Sequence, residues 1–180
     1  MSEKSKAFKK VEEEKRLSER IMTAIPGFRG YKEKELRRET DRLIRDHLYE
    51  HLMEAKGALK EIYQMLVDNR IIETWTGMDR LIAKFDRISE RIHHAVHGYS
   101  GFFDAVKIKE DRLDRLIQFD SDLIGSISET TSKVQEFKSE VAGRKFTEAK
   151  TRIEELVKAI DELEETFNKR KSAILGVVEE

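Results

Sequence analysis

The stretch His47–Leu66, HLYEHLMEAKGALKEIYQML, places Leu48, Leu52, Ala55, Leu59, Ile62 and Leu66 alternately four and three residues apart. That spacing is a heptad seam: it keeps one narrow apolar stripe on one side of an α-helix and leaves the other positions to charge. The helix it predicts runs from about Glu33 to Arg70, where Asp68-Asn69-Arg70 makes a plausible end.

The same pattern recurs downstream. A second helix carries Met78, Ile82, Phe85, Ile88, Ile92, Val96 and Tyr99, and a third carries Leu113, Leu116, Asp120, Leu123, Ile127, Thr130, Val134, Phe137 and Val141. Asp104 is placed to cap the third helix, and Gly143 to end it. A fourth uses Phe146, Ala149, Ile153, Leu156, Ile160, Leu163, Phe167 and Ile174. The fold expected is all-α: an antiparallel four-helix, coiled-coil-like bundle. One alternative fuses the second and third helices into a single bent helix through Gly98–Gly101, because the heptad phase continues across those glycines.

Upstream, residues 5–24 read as a polar helix whose apolar members, Phe8, Val11, Leu17 and Ile21, define no clean stripe. Ile25-Pro26-Gly27 breaks it. The expected organisation is an N-terminal helical arm and Pro-Gly loop over 1–28, then one helical-bundle domain over 29–180. No internal sequence repeat is read.

Composition narrows the class. Of 180 residues, 39% are charged, yet the net charge is -1, so both signs interleave on solvated helix faces. One Pro and nine Gly leave little turn chemistry for a sheet protein. The absence of Cys excludes disulfides, thiolate nucleophiles and Cys-ligated zinc. With a charged amino terminus and no apolar run of membrane length, the expectation is a cytoplasmic protein with no membrane span. Abundant Lys, Arg and Glu without Cys also suits a thermophile.

Four features carry candidate chemistry. His47 and His51, and His93 and His97, stand four apart, the spacing of many metal ligands. With a hairpin turning near Ile72, His47 is level with His97 and His51 with His93, but helical rotation puts the two pairs on opposite flanks of their seams. The expected reading is half-exposed histidines and no metal site. His94 points outward, and Glu90 with His93 is the one Glu-x-x-His spacing, where a di-iron bundle needs two such units and further carboxylates.

Asp120 and Thr130 are polar insertions in the third seam. Asp120 is either a ligand-binding acid in the core or a register-setting residue meeting Arg170 or Lys171, and the second reading is preferred because a buried carboxylate requires a partner. The basic run Arg29, Lys32, Lys34, Arg37, Arg38, Arg42 and Arg45 is offset by Glu33, Glu35, Glu39 and Asp41 at ion-pair spacing, so nucleic acid is not the expected partner. Gly27-Phe28-Arg29-Gly30 matches the GXXG loop of a KH module by letter, but that module needs a sheet. Tyr99, Phe102 and Phe103 form an aromatic cluster beside two glycines, a core plug or an interaction anchor.

The segments PGFRGYKEKELRRETDRLIR (26–45) and GYSGFFDAVKIKEDRLDRLIQFD (98–120) are similar to stretches in a family of uncharacterised prokaryotic long-helix proteins. The resemblance covers roughly residues 26–124 and implies no activity, cofactor, substrate or site residue. With no nucleophile beside a base and no complete metal set, the chain is expected to be non-enzymatic and to carry no cofactor. The function expected is an interaction or scaffold role, self-associating through helix seams or binding a protein partner. The alternative is a small-ligand or metal-binding bundle.

Overall fold

A computed structural model describes residues 3–28, 34–95 and 110–175, and all of their regular structure is helical. The five α-helices are α1 (Glu3–Ala24), α2 (Lys34–Asp68), α3 (Trp75–His93), α4 (Glu110–Ala142) and α5 (Ala149–Leu175), with a 3-10 turn at Ile72–Thr74. The chain is all-α, as the seams predict. Among the described residues no helix is long and apolar enough to cross a membrane. The Gly98–Gly101 junction, Tyr99, Phe102, Phe103 and His97 lie outside the described residues.

Contacts divide the chain into two compact units, one of 1–47, 95–124 and 166–180, the other of 48–94 and 125–165. The second unit is a four-helix bundle whose core is the heptad seams. Leu48, Leu52, Leu59, Ile62 and Leu66 of α2 are fully buried, as are Met78, Leu81, Phe85, Ile88 and Ile92 of α3. Each large side chain so buried contributes about 1.5–3 kcal/mol relative to exposure. The seam of α3 uses Leu81 where the sequence reading used Ile82, which is only half-buried. Leu81 gives the regular alternation of three and four, and α3 stops at His93, before Val96 and Tyr99.

Ion pairs along the rim show how the four helices are arranged in this unit. Lys56 meets Asp86 across α2 and α3, and Lys138 meets Glu61 at 2.7 Å across α4 and α2. Lys84 meets Asp161, and Arg87 and Arg91 both meet Glu164, across α3 and α5. Arg152 grips Glu140 through two nitrogens, at 2.7 and 3.1 Å, across α5 and α4. The order around the bundle is therefore α2, α3, α5, α4. Two antiparallel hairpins stand side by side, with α2 parallel to α4 and α3 parallel to α5. These contacts leave a charge signature: hydrogen bonds from Lys56 hold the Asp86 carboxyl below the usual range, and those from Arg152 do the same to Glu140.

The hairpins repeat one another in a way the letters hide. Leu48 and Leu123, Leu52 and Ile127, Leu59 and Val134, Ile62 and Phe137, and Leu66 and Val141 are buried pairs 75 residues apart. Met78 and Ile153, Leu81 and Leu156, Phe85 and Ile160, Ile88 and Leu163, and Ile92 and Phe167 keep the same interval. The repeat that sequence comparison by eye does not find is thus present in the burial pattern, because packing constrains apolar size and spacing and leaves the other positions free.

Ile21 of α1 is fully buried and Ile25 and Phe28 nearly so, which anchors the end of the N-terminal helix. Gly27 takes φ 88°, a left-handed conformation that suits glycine, and turns the chain between Ile25 and Phe28. Phe28 is a core residue, while Arg29 and Gly30 of the GXXG letters lie outside the described residues.

Both hairpins close with the same device. The amide of Arg70 donates to Val67 O at 2.9 Å and that of Ile71 to Leu66 O at 3.0 Å, while Arg144 donates to Val141 O and Lys145 to Glu140 O, each at 2.9 Å. This is the Schellman arrangement, which satisfies the last carbonyls of α2 and α4. Its left-handed residue is arginine in each case, at φ 60° and 59°. The sequence reading put the break at Gly143; the left-handed position is one residue later. An L-residue there costs about 1–2 kcal/mol, against about 0.4–1 kcal/mol for the extra unfolded-state freedom of glycine. Arg144→Gly and Arg70→Gly are therefore each expected to raise stability by roughly 0.5 kcal/mol, read as a small rise in the midpoint of urea unfolding.

Candidate functional site

The seams of α2, α4 and α5 do not stay apolar. Continuing the alternation of α2 upstream from Leu48 reaches Arg45 and then Asp41; that of α4 reaches Asp120; that of α5 passes Phe167 to Arg170. All four charged residues are buried: Asp41 3%, Arg45 6%, Asp120 0% and Arg170 1% exposed. They lie together in the first unit.

The geometry joins them into one network. Arg170 Nε donates to Asp120 Oδ1, and a terminal guanidinium nitrogen of Arg170 donates to Asp41 Oδ1 at 2.9 Å. Arg45 Nε donates to the other oxygen of Asp41, Oδ2, at 2.9 Å. Two carboxylates and two guanidiniums bring the formal charge to zero, which is the condition under which charge can be held in a core. The planar, multidentate guanidinium suits this task, since one Arg can bind two carboxylates at fixed angles. Arg170 thereby ties α5 to both α2 and α4.

Asp120 stands where the seam places it, and its partner is Arg170; Lys171 is exposed. Thr130 is buried and its hydroxyl donates to the Ser126 carbonyl at 2.8 Å, a helix-internal bond that satisfies it. Asp41 and Arg45 were not recognised from the sequence as core residues. Arg45 was counted in a basic run and Asp41 among its counter-charges, although their heptad phase with Leu48 was the available signal. Arg42, exposed, pairs loosely with Asp46 at 3.8 Å.

The histidines fall differently. Tyr49 stacks on His93, with ring centroids 4.4 Å apart and planes at 19°. With Lys56 against Asp86 and Tyr63 against Asp79, this fixes the α2–α3 register: the residue numbers of each pair total 142. The expected register totals 144, so the levels predicted for His51 and His93 are displaced by two residues. The tight turn through Arg70 and the 3-10 turn account for the difference. His51 is half-buried, with Nδ1 3.8 Å from Glu54, and His47 is half-buried on the same helix. The structure does not bring His51 to His93. It brings together Glu90, His93 and His94 instead, whose potential ligand atoms all lie within 4.8 Å of one another.

The class that these observations define is an all-α protein of paired helical hairpins with a charged network in its first unit. No protein-family model, curated protein or solved structure matches the chain.

The network makes a specific energetic prediction. Arg170→Met leaves Asp41 and Asp120 buried with one cation between them, and is expected to destabilise by about 3–5 kcal/mol. Adding Asp120→Leu restores neutrality, since Asp41 and Arg45 remain as a pair, and is expected to recover most of that loss in urea unfolding.

Proposed function

We propose that this chain is a non-enzymatic interaction or scaffold protein that associates with further copies of itself or with a protein partner. The observation that carries the reading is where its buried polar groups are spent. Asp41, Arg45, Asp120 and Arg170 engage one another, and Thr130 engages its own helix. These groups serve to set register and leave the outward faces as the place to meet a partner.

Those faces are long. α2 has 35 residues and α4 has 33, each about 50 Å at ~1.5 Å per residue, and both are lined by charges of both signs. The seams themselves are covered within the chain, so contact with a second copy is assigned to the outward faces. Met53 of α2 is 38% exposed there, and Met22 of α1 at 57% and Ile72 of the 3-10 turn at 64% are further exposed apolar side chains. Interspersed charge favours selective pairing, since wrong partners juxtapose like charges.

Sedimentation equilibrium of the full chain across the micromolar range tests the self-association arm. A weight-average mass rising above the 21.1 kDa of one chain is expected. A mass that stays at one chain throughout would overturn self-association.

A further inference from the structure

We infer that Glu90, His93 and His94 form a surface site for a transition-metal dication of the zinc or copper class, at the C-terminal end of α3. Three observations combine to build it, and none depends on the interaction role proposed above.

The first is how the backbone ends. His94, at φ -91°, ψ 8°, still donates its amide to Glu90 O at 2.9 Å, so it caps α3 one turn above Glu90. The His93 and His94 imidazoles meet edge to face, with ring centroids 4.9 Å apart. Glu90, one turn back, completes the cluster: its Oε2 lies 3.1 Å from His94 Nε2.

The second is the closeness of the donor atoms, all within 4.8 Å. A tetrahedral ion with ligand bonds of ~2.0–2.1 Å needs donors roughly 3.3 Å apart, so closure requires movements of about 1.5 Å or less. All three side chains are exposed and can make that adjustment by rotation. Tyr49 backs His93 from α2, which limits the ring's freedom before an ion arrives. A ligand held by an outer partner in this way loses less freedom on binding.

The third is charge. The C-terminal end of a helix carries partial negative charge from its last carbonyls, which favours a cation there. Glu90 adds a carboxylate. The nearby cation, Arg91, is held toward Glu164, which it shares with Arg87. Two imidazoles and a carboxylate suit zinc, copper, nickel or ferrous iron, whereas magnesium and calcium prefer all-oxygen sites.

The test uses the full chain, freed of metal by a chelator and titrated with zinc by calorimetry, with copper(II) bound in parallel for electron paramagnetic resonance. One equivalent of zinc is expected to bind, and the copper spectrum to show nitrogen coupling. Glu90→Gln and His94→Ala are each expected to weaken zinc by about tenfold or more, with Tyr49→Leu giving a smaller loss. His51→Ala serves as the control and is expected to bind as the parent does. Circular dichroism of each variant checks that the helices persist, which surface positions should allow. Absence of zinc binding to the parent chain, or binding retained in both Glu90→Gln and His94→Ala, would overturn the site. Either result leaves the mass measured in sedimentation, and the interaction reading with it, untouched.

Discussion

The guanidinium of Arg170, held between Asp41 and Asp120, is the constraint on which the first unit depends. Without it, two carboxylates of different helices would face each other in a core that excludes water, a placement whose cost is several kcal/mol for each unpaired ion. Arg45 on Asp41 supplies the second positive charge and makes the set neutral. The geometry fixes more than charge. Sliding α5 by one residue would rotate Arg170 by ~100° and break both contacts, so the network sets the register of α5 against α2 and α4. Apolar seams discriminate register less sharply, because one branched aliphatic packs nearly as well as the next. Polar residues at seam positions are the well-attested way in which coiled coils choose one alignment.

In the second unit the same seam positions are apolar, and stability there rests on burial with a rim of ion pairs. The α2–α3 and α4–α5 hairpins bury residues at a constant interval of 75, and each ends its first helix with an arginine in the left-handed conformation. One structural plan is written twice with different letters. The physical reason is that a heptad prescribes where apolar volume must stand and little else, so two sequences can satisfy it while sharing few residues.

Much of this was legible in the sequence. The α2 and α4 seams, residue by residue from Leu48 to Leu66 and from Leu116 to Val141, are what the spacing predicts, and so is the pairing of Asp120 with Arg170. The omissions have a common cause. Asp41 and Arg45 keep heptad phase but are charged, and for their burial phase is the better guide than charge. Leu81 and Ile82 are adjacent aliphatics, and only the turn preceding α3 decides which one faces inward. The two-residue offset in the α2–α3 register arises from the Arg70 turn, whose left-handed residue is not a glycine and so leaves no mark in the sequence.

The central claim is that Arg170 is locked inside the first unit by two carboxylates. The most direct measurement is solvent exchange of the Arg170 Nε proton, followed by nitrogen-proton NMR after transfer to deuterated water. The account predicts a resolved signal that persists with the slowly exchanging core amides. Loss of that signal at the rate of exposed arginine side chains would contradict it.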